Sequence, residues 1–466
     1  MGLRGDKRQK TAQAELPSRA EGEAPSERRS GESPTATRGD ERSGLDLMER
    51  VVERSNARAA MKRVKRNKGS PGVDGMTVDE LGPYLVEHWP MVREQLLAGT
   101  YRPKPVRRHQ LPKKGGGVRE LGIPTVLDRM IQQAILQVLQ PIFDPTFSEH
   151  SHGFRPGRGA HDAVRAAQRY IQDGRGWVVD VDLEKFFDRV DHDVLMGKLV
   201  KRIGDKRMLG LIRRYLQAGM MAGEIVKERR QGTPQGGPLS PLLANVLLDE
   251  VDKELEKRGI AFARYADDCN LYLRSKRAAT DAMQTLRRLY ARLKLRVNEA
   301  KSAVGRPWER KFLGYSFWYR NDDARLRVAP QAIATMKDRV RQITSRNAGR
   351  SMRSVVDELR AYLVGWKNYF QLAQTPGIFA GLDGWLHRRI RAVQLKQWRR
   401  GPNIFRELVA RRVPELQARI AAANAGRWWR ISNYHGPNIA LPNKAIYRAG
   451  IPRLAALPQP SEPPDA

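Results

Sequence analysis

Two adjacent aspartates, Asp267 and Asp268, lie within an apolar and aromatic stretch that runs from Phe262 to Leu273. The flanking residues have the composition of strands, and Ala266-Asp267-Asp268 fits the tight turn of a hairpin. Adjacent carboxylates repel each other, so the pair favours a bound cation. A hard divalent ion with oxygen ligands, above all Mg²⁺, suits such a pair. On these two residues alone, an ordinary Asp-rich turn is the alternative interpretation.

A second acidic segment lies upstream, between Trp177 and Asp188. Asp180 and Asp182 alternate with apolar residues, so they are predicted to share one face of a strand. Acids are unusual on a core strand, although a solvated edge strand would show the same pattern. Asp182 together with Asp267 and Asp268 would bring three carboxylates to one sheet surface. Such a centre suits phosphoryl transfer with two metal ions, one at a 3′-hydroxyl and one at a triphosphate.

The composition points to a polyanionic partner. The 466 residues include 85 Lys and Arg against 51 Asp and Glu, a net charge of +34, and residues 301–466 hold 30 of these basic residues against 11 acids. Nucleic acid and an anionic membrane surface are the two candidates. No apolar run is long enough to span a bilayer, which favours nucleic acid. The single cysteine, Cys269, excludes an intrachain disulfide and a cysteine-based zinc site.

Three segments between these acids and the N-terminus could contact phosphates. Residues 101–114 and 118–124 are predicted to be two basic strands joined by Gly115-Gly116-Gly117, a flap that could close over a triphosphate. The loops 67–75 and 152–159 are also basic and rich in turn formers. Downstream, the Gly-rich loop 231–241 opens a helix and allows close approach of a substrate.

Helices are predicted for the remainder of the chain, apart from a short strand pair formed by 294–302 and 312–317. They are expected to begin near Leu45 and to cover 78–98, 128–139 and most of the chain after Gln331. The apolar stripe on 355–370 is predicted to pack in a core. The segment 385–400 alternates basic and apolar residues, and its aromatic content favours nucleic acid over a membrane.

The ordered blocks resemble the group II intron-encoded reverse transcriptase/maturases of bacteria and organelles. Tyr265-Ala266-Asp267-Asp268 looks like the catalytic motif of reverse transcriptases. The resemblance covers roughly 50–455, because the blocks occur in family order at 67–75, 101–124, 152–159, 182–188, 232–241, 262–273, 295–301, 312–317, 359–370 and 385–400.

This resemblance implies an α+β fold, a right-hand polymerase whose fingers and palm contain a small antiparallel sheet, followed by an α-helical thumb. The implied divisions are an N-terminal extension of the fingers at 46–100, fingers and palm at 101–320, a thumb and maturase-specific domain at 325–400 and a basic nucleic-acid-binding region at 401–458. Composition, with few large apolar side chains, predicts disordered tails at 1–45 and 459–466.

The resemblance also assigns roles to individual residues. It implies that Asp182, Asp267 and Asp268 are catalytic and bind two Mg²⁺ ions, with the Leu183 carbonyl as a further ligand and Mn²⁺ as an alternative metal. Phe187 would exclude a 2′-hydroxyl by steric clash, selecting deoxynucleotides. Nucleotide contacts are implied for Lys113, Arg119, Gln235 and Lys301. Contacts with RNA are expected from Lys68, Arg155, Arg158, Arg388, Arg389, Arg391, Lys396, Arg399 and Arg400.

The implied function is RNA-directed DNA synthesis together with a maturase role for the protein's own intron. The implied partners are group II intron RNA, an RNA template, target DNA with its primer, and deoxynucleoside triphosphates, with no membrane. The chain shows no His-Asn-His endonuclease module and so resembles the lineage that lacks one. The polar N-terminus suggests no secretory signal. A cytoplasmic, nucleoid- or ribonucleoprotein-associated bacterial protein is therefore expected.

Other functions remain open at this point. A domesticated or defence-associated reverse transcriptase would keep the polymerase without a mobile intron. A splicing factor with an inactive polymerase would typically lack the catalytic acids, and all three are present here. An RNA-dependent RNA polymerase is disfavoured by Phe187, since it needs room for the ribose hydroxyl.

Overall fold

A computed structural model describes residues 46–112, 118–222, 225–227, 231–233, 236–321, 323–347 and 349–455. The predicted tails at 1–45 and 459–466 lie outside the described residues. Both helices and antiparallel strands are present, which confirms the predicted α+β class. None of the described helices is long and apolar enough to span a membrane.

The strands are short, and in the described part of the chain they form three separate sheets. They are β1 (Val106–Pro112), β2 (Val118–Ile123), β3 (Trp177–Val181), β4 (Met220–Ala222), β5 (Ile225–Lys227), β6 (Ala261–Tyr265), β7 (Asp268–Leu273), β8 (Ala303–Gly305), β9 (Tyr315–Arg320) and β10 (Asp323–Val328).

Helices surround these sheets and make up almost all of the described structure after β10. They are α1 (Leu47–Val52), α2 (Arg54–Arg66), α3 (Leu81–Leu97), α4 (Val126–Phe143), α5 (Ala160–Gln172), α6 (Phe186–Arg189), α7 (His192–Leu199), α8 (Lys206–Gln217), α9 (Ser240–Lys257), α10 (Lys276–Arg292), α11 (Pro330–Ile343), α12 (Met352–Tyr369), α13 (Pro376–Trp398), α14 (Gly401–Ala410), α15 (Glu415–Ala423), α16 (Trp428–Ile431), α17 (His435–Ala440) and α18 (Asn443–Arg448), with a 3₁₀ turn at Asp144–Thr146.

The central sheet has the strand order β6-β7-β3-β8, and all of its pairings are antiparallel. β6 and β7 form the predicted hairpin, with Tyr265 opposite Asp268 and a two-residue turn between them. Both strands are apolar because each face of the sheet packs in a hydrophobic core. Phe262 and Leu271 lie in one core, whereas Ala263 and Tyr272 lie in another. Asp182 departs slightly from prediction, since β3 ends at Val181 and Asp182 follows the strand rather than lying within it.

The predicted basic flap is also present as an antiparallel pair. β1 pairs with β2 from Arg107 opposite Ile123 to Pro112 opposite Val118. β4 adds to β1 in parallel, and β5 completes a sheet of four strands. The glycine turn at 113–117 lies outside the described residues.

The predicted pairing of 294–302 with 312–317 is wrong. β9 pairs instead with β10, from Tyr315 opposite Val328 to Arg320 opposite Asp323. The earlier segment runs beside the end of β3, where Leu183 bridges Val297. The sequence of a short apolar strand does not show which strand it pairs with. The pairing of β9 with β10 was therefore not predicted.

Three hydrophobic cores formed by the described residues hold these elements together. The first lies under the central sheet and includes α4, α8, α9 and α10. The second joins α5, β9, β10 and the long helices α11, α12 and α13, and it buries Val355, Leu359, Leu363 and Trp366. Their burial confirms the core interpretation of the 355–370 stripe. The third core is smaller and packs the end of α13 against α14 and α15.

Candidate active site

The central sheet brings the three predicted aspartates to one end. Asp267 is in the hairpin turn, Asp268 is the first residue of β7, and Asp182 directly follows β3. Because Val181 lies opposite Cys269, continuing the antiparallel register places Asp182 next to Asp268. Two strands and one turn therefore position the set.

Negative charge accumulates at this end of the sheet. Burial, together with the charges of Asp180, Asp267 and Asp182, raises the pKa of Asp268 to about 7, against a weaker opposing effect of Lys311. Burial likewise raises the pKa of Asp180 to about 6. The carboxylates are costly to keep ionised together without a cation.

These residues fit a divalent cation in donor type. Aspartate oxygens are the ligands that Mg²⁺ and related ions prefer, and the mutual repulsion of the carboxylates would be relieved by positive charge. Among the described residues, no three His, Cys, Asp or Glu side chains already converge as a ready metal site. One reason is visible at Asp182, whose Oδ2 is paired with the Lys301 Nζ at 3.2 Å. Lys301 thus supplies a positive charge at the position expected of a nucleotide-binding residue.

The hairpin turn is held from behind by a buried arginine that the sequence analysis did not single out. Arg264, on β6, donates from Nη1 to the Ala266 carbonyl at 2.9 Å. Ala266 has φ of +60°, a left-handed conformation that an alanine adopts at a cost. The bond to its carbonyl therefore stabilises the backbone that presents Asp267.

The arginine is itself held by helix α9. Asp252 forms an ion pair with Arg264, Nη2 to Oδ2 at 2.5 Å, and both side chains are almost fully buried. The Asn245 Oδ1 accepts a further bond from Arg264 Nη1 at 2.9 Å, and its amide donates to the Gly153 carbonyl at 2.9 Å. The sequence could have indicated this role, because an arginine within an apolar strand, such as Arg264, needs a buried acceptor.

Gly153 packs directly against the turn. A Cβ at this position would lie 2.3 Å from the Ala266 nitrogen and 2.9 Å from the Tyr265 carbonyl carbon. The neighbouring backbone is bonded to β6, with His152 donating to the Arg264 carbonyl at 2.8 Å. This close approach explains why the loop before α5 requires glycine here.

We expect Gly153→Ala to destabilise the protein by about 1–3 kcal/mol, because the added methyl group must displace the hairpin backbone. Thermal melting followed by circular dichroism measures this. Gly197→Ala in α7 is the matched control, since its Cβ would meet nothing within 4 Å and helical alanine is favoured over glycine. Equal melting temperatures for the two variants would contradict the close packing.

Phe187 is half-buried on the short helix α6, with its ring centroid 5.0 Å from that of Phe186. The Gly-rich loop docks on this helix, because the Thr233 nitrogen donates to the Phe187 carbonyl at 2.7 Å and the Gly232 nitrogen to the Val190 carbonyl at 2.7 Å. Leu183 is buried beside it, in a bridge with Val297. The structure thus places Phe187 next to the predicted nucleotide loop.

Three predicted nucleotide-binding side chains cannot be placed. Lys113 and Gln235 lie outside the described residues, and Arg119 is described for its backbone in β2 but not for its side chain.

Two of the predicted RNA-binding arginines are buried, which contradicts their assignment. Arg155 is 7% exposed and its guanidinium bonds Asp144, the Ser148 carbonyl and the Ser151 carbonyl. Arg391 is 6% exposed and bonds the Leu441 carbonyl and the Asn443 Oδ1. Both arginines fix loops to helices, a role that charge counting does not reveal.

The other predicted RNA-binding residues keep some exposure. Lys68, Arg399 and Arg400 are exposed. Arg158 is partly exposed and pairs with Glu149. On α13, Arg388 stacks on Trp429 with 4.0 Å between its guanidinium carbon and the ring centroid, while Arg389 and Lys396 are half-buried.

Comparison with protein families gives two matches in chain order. Residues 111–317 match the family described as reverse transcriptase (RNA-dependent DNA polymerase). Residues 333–413 match the maturase-specific domain of group II introns.

Individual proteins are also similar to parts of this chain. Protein YkfC of Escherichia coli K12 is 34% identical over 275 residues, which cover 50% of this chain and 72% of YkfC. The group II intron-encoded protein LtrA of Lactococcus lactis is 38% identical over 206 residues, which cover 44% of this chain and 34% of LtrA. Among solved structures, a partial Cas6-RT-Cas1–Cas2 complex is 25% identical with a TM-score of 0.35, covering 53% of this chain and 42% of that one.

Proposed function

We propose, from the premise that this chain belongs to the family of group II intron-encoded reverse transcriptases with a maturase-specific domain, that it copies RNA into DNA and assists its intron to splice. The chain spans about a third of LtrA, so the activity of the whole protein is part of this proposal. The single observation that carries it is the meeting of Asp182, Asp267 and Asp268 at one end of an antiparallel sheet.

The polymerase family implies dependence on a divalent cation, and we propose that the ion is Mg²⁺. Asp182, Asp267 and Asp268 would hold it, with the Leu183 carbonyl as a further ligand. When bound, such ions lower the pKa of a primer 3′-hydroxyl and neutralise charge on a triphosphate. The protein's own part is to orient the reacting groups, which is the main source of catalysis in phosphoryl transfer.

The remaining residues would bind the incoming deoxynucleotide. Phe187 would pack against its sugar, and Gln235 would contact it from the Gly-rich loop. Lys113 and Arg119, on the basic flap, would hold its phosphates. Lys301 would exchange its bond with Asp182 for the phosphates when metal and nucleotide are bound, because an ammonium group prefers the more highly charged partner.

The maturase role would rest on RNA binding by the basic C-terminal third. The match of 333–413 to a maturase-specific domain supports intron RNA as a partner. Template RNA, target DNA and its primer are further proposed partners, and the contacts would come from Lys68, Arg158, Arg388, Arg389, Lys396, Arg399 and Arg400. The thumb at 325–400 and the basic region at 401–458 remain predicted divisions.

Primer extension tests the polymerase assignment. The purified protein should extend a DNA primer annealed to an RNA template with deoxynucleoside triphosphates and Mg²⁺, and EDTA should stop it. Splicing of the intron RNA that surrounds the reading frame, measured with and without the protein at low Mg²⁺, tests the maturase role. Failure of extension with a folded protein would reject the polymerase, and unchanged splicing would reject the maturase.

We expect Phe187→Ala to increase ribonucleotide incorporation about 10- to 200-fold relative to deoxynucleotides, as removal of a steric contact typically does. The ratio of kcat/KM for the two triphosphates measures the effect. Phe405→Ala is the matched control, because this ring is similarly half-buried but lies in the third core. An unchanged ratio in Phe187→Ala would remove this residue from sugar selection.

A further inference from the structure

A basic cleft lies where the C-terminal part of the chain meets the long helices. Its volume is about 420 Å³. The loop after α11 provides Arg346, helix α13 provides Arg389 and Lys396, and the segment 426–428 closes the cleft with Trp428. The maturase-specific match ends at residue 413, so this wall of the cleft comes from beyond it.

Positive charge in the cleft is poorly compensated. Arg341, Arg346, Arg389 and Lys396 all line it. Among the described residues only Arg341 of the four has a carboxylate partner, Asp338 at 2.6 Å. The pKa of Arg389 is lowered by burial and then by the charges of Arg346 and Arg341. The cleft therefore favours an anion, which would relieve this repulsion.

Arg389 is held in position before any ligand binds. Its Nη2 donates to the Thr344 Oγ1 at 2.6 Å and its Nε to the same atom at 2.9 Å. Thr344 is fully buried at the end of α11. A guanidinium held this way loses little conformational entropy when it binds a phosphate, which favours binding.

Trp428 adds an aromatic surface to the same cleft. It is half-buried and packs partly against the third core. The Lys396 Nζ lies 5.6 Å from its ring centroid. Lysine is a flexible point charge, so it can leave the ring for a phosphate. Trp428 lines this cleft, whereas the neighbouring Trp429 stacks with the Arg388 guanidinium and lines an adjoining pocket.

We propose that this cleft binds one unpaired nucleotide of a single-stranded nucleic acid, with the base on Trp428 and the phosphate between Arg346 and Arg389. The proposal deepens the proposed function and rests on it for the class of ligand. An aromatic ring next to a cluster of cations is the combination by which proteins bind unpaired nucleotides. A duplex cannot use the ring, because its bases are stacked on one another.

Fluorescence anisotropy with the full-length protein tests the proposal. The probes are fluorescein-labelled oligo(U) and the same strand annealed to oligo(A). Trp428→Ala should weaken oligo(U) binding about 5- to 100-fold and duplex binding much less, since stacking needs an unpaired base. Trp428→Phe should restore most of the affinity, and melting curves confirm that each variant is folded.

Arg346→Glu is a second variant that does not affect the core, because Arg346 is exposed. It should weaken oligo(U) binding and lower its salt dependence more than Arg419→Glu, an exposed arginine on α15 outside the cleft. Equal effects of Trp428→Ala on both probes, no effect in the folded variant, or equal effects of the two arginine variants would overturn the proposal. So would equally effective competition by poly-glutamate, which would indicate a general anion surface.

Primer extension by the wild-type protein is measured on the same preparation. If the protein extends the primer but the variants do not change oligo(U) binding as predicted, the nucleotide site in the cleft is rejected and the polymerase function is retained. If the variants change oligo(U) binding as predicted but the wild-type protein does not extend the primer, the nucleotide site is retained and the polymerase function is rejected.

Discussion

Replacing Asp267 and Asp268 together by asparagine should lower cDNA synthesis by about 10³-fold or more while RNA binding is kept. Metal ions contribute several kcal/mol to the stabilisation of the transition state, and each 1.36 kcal/mol is a factor of ten in rate. Asparagine keeps the size of the side chain but not the charge that holds a cation. Single-turnover primer extension and filter binding of the intron RNA measure the two properties.

The single variant Asp268→Asn should not lose stability. Asp268 is half-buried among like charges, and its pKa is raised to about 7, so its ionised form destabilises the metal-free fold. A carboxyl whose pKa is raised on folding stabilises the fold most at low pH, and this contribution is lost as pH rises toward the folded pKa. In EDTA, Asp268→Asn should therefore melt at a higher temperature than the wild type near pH 8, with the difference shrinking toward pH 4.

An exposed aspartate serves as the control for both measurements. Asp281→Asn, on the outer face of α10, should change neither cDNA synthesis nor the melting temperature. Retained synthesis in the double variant would show that these aspartates do not hold the metal. Loss of RNA affinity would show instead that the variant is misfolded or that the aspartates also organise the RNA surface.

Removing the buried arginine behind the hairpin should give the largest loss of stability. Arg264→Met leaves Asp252 buried and unpaired, and breaking a buried ion pair in this way costs about 3–5 kcal/mol. The variant should also lose cDNA synthesis at temperatures where it is still folded, because the Ala266 carbonyl no longer has its donor. Urea unfolding gives the free energy.

Two comparisons make this result specific. Arg287→Met removes an exposed pair with Glu299 and should change stability by less than about 1 kcal/mol. The double variant Arg264→Met with Asp252→Leu should be more stable than Arg264→Met alone, since it leaves no buried charge without a partner. If Arg264→Met and Arg287→Met cost the same, the buried network is not what holds the turn.

The hairpin with its two aspartates was predictable because its signals are local. The apolar and aromatic composition of β6 and β7 and the short turn between them lie within a dozen residues. The apolar stripe of α12 was found for the same reason, since its period is fixed by the helix itself. The family resemblance then connected Asp182 to this hairpin, a link of more than eighty residues that no local pattern contains.

Positive charge alone gave the wrong prediction of RNA contact for two arginines, because the fold buries them. Arg155 and Arg391 belong to basic segments in which the sequence does not distinguish one arginine from another. Both are nevertheless buried. Arg155 bonds the Asp144 carboxylate, and Arg391 bonds the Leu441 carbonyl. Arg264 was overlooked for the opposite reason, because it was read as part of an apolar strand. A guanidinium binds whatever acceptors the folded chain brings to it, and these come from distant elements.

The sequence by itself determined the family, the acidic residues and the basic character of the C-terminal third, because residue type, spacing and net charge are properties of the chain. Only the tertiary structure decided that β3 pairs with β7 and so brings Asp182 to the end of the sheet where Asp268 lies, that α9 holds the hairpin turn through Arg264, and that Trp428 closes a cleft with Arg346 and Arg389. The physical reason is that pairing register and side-chain burial depend on packing between segments far apart in sequence.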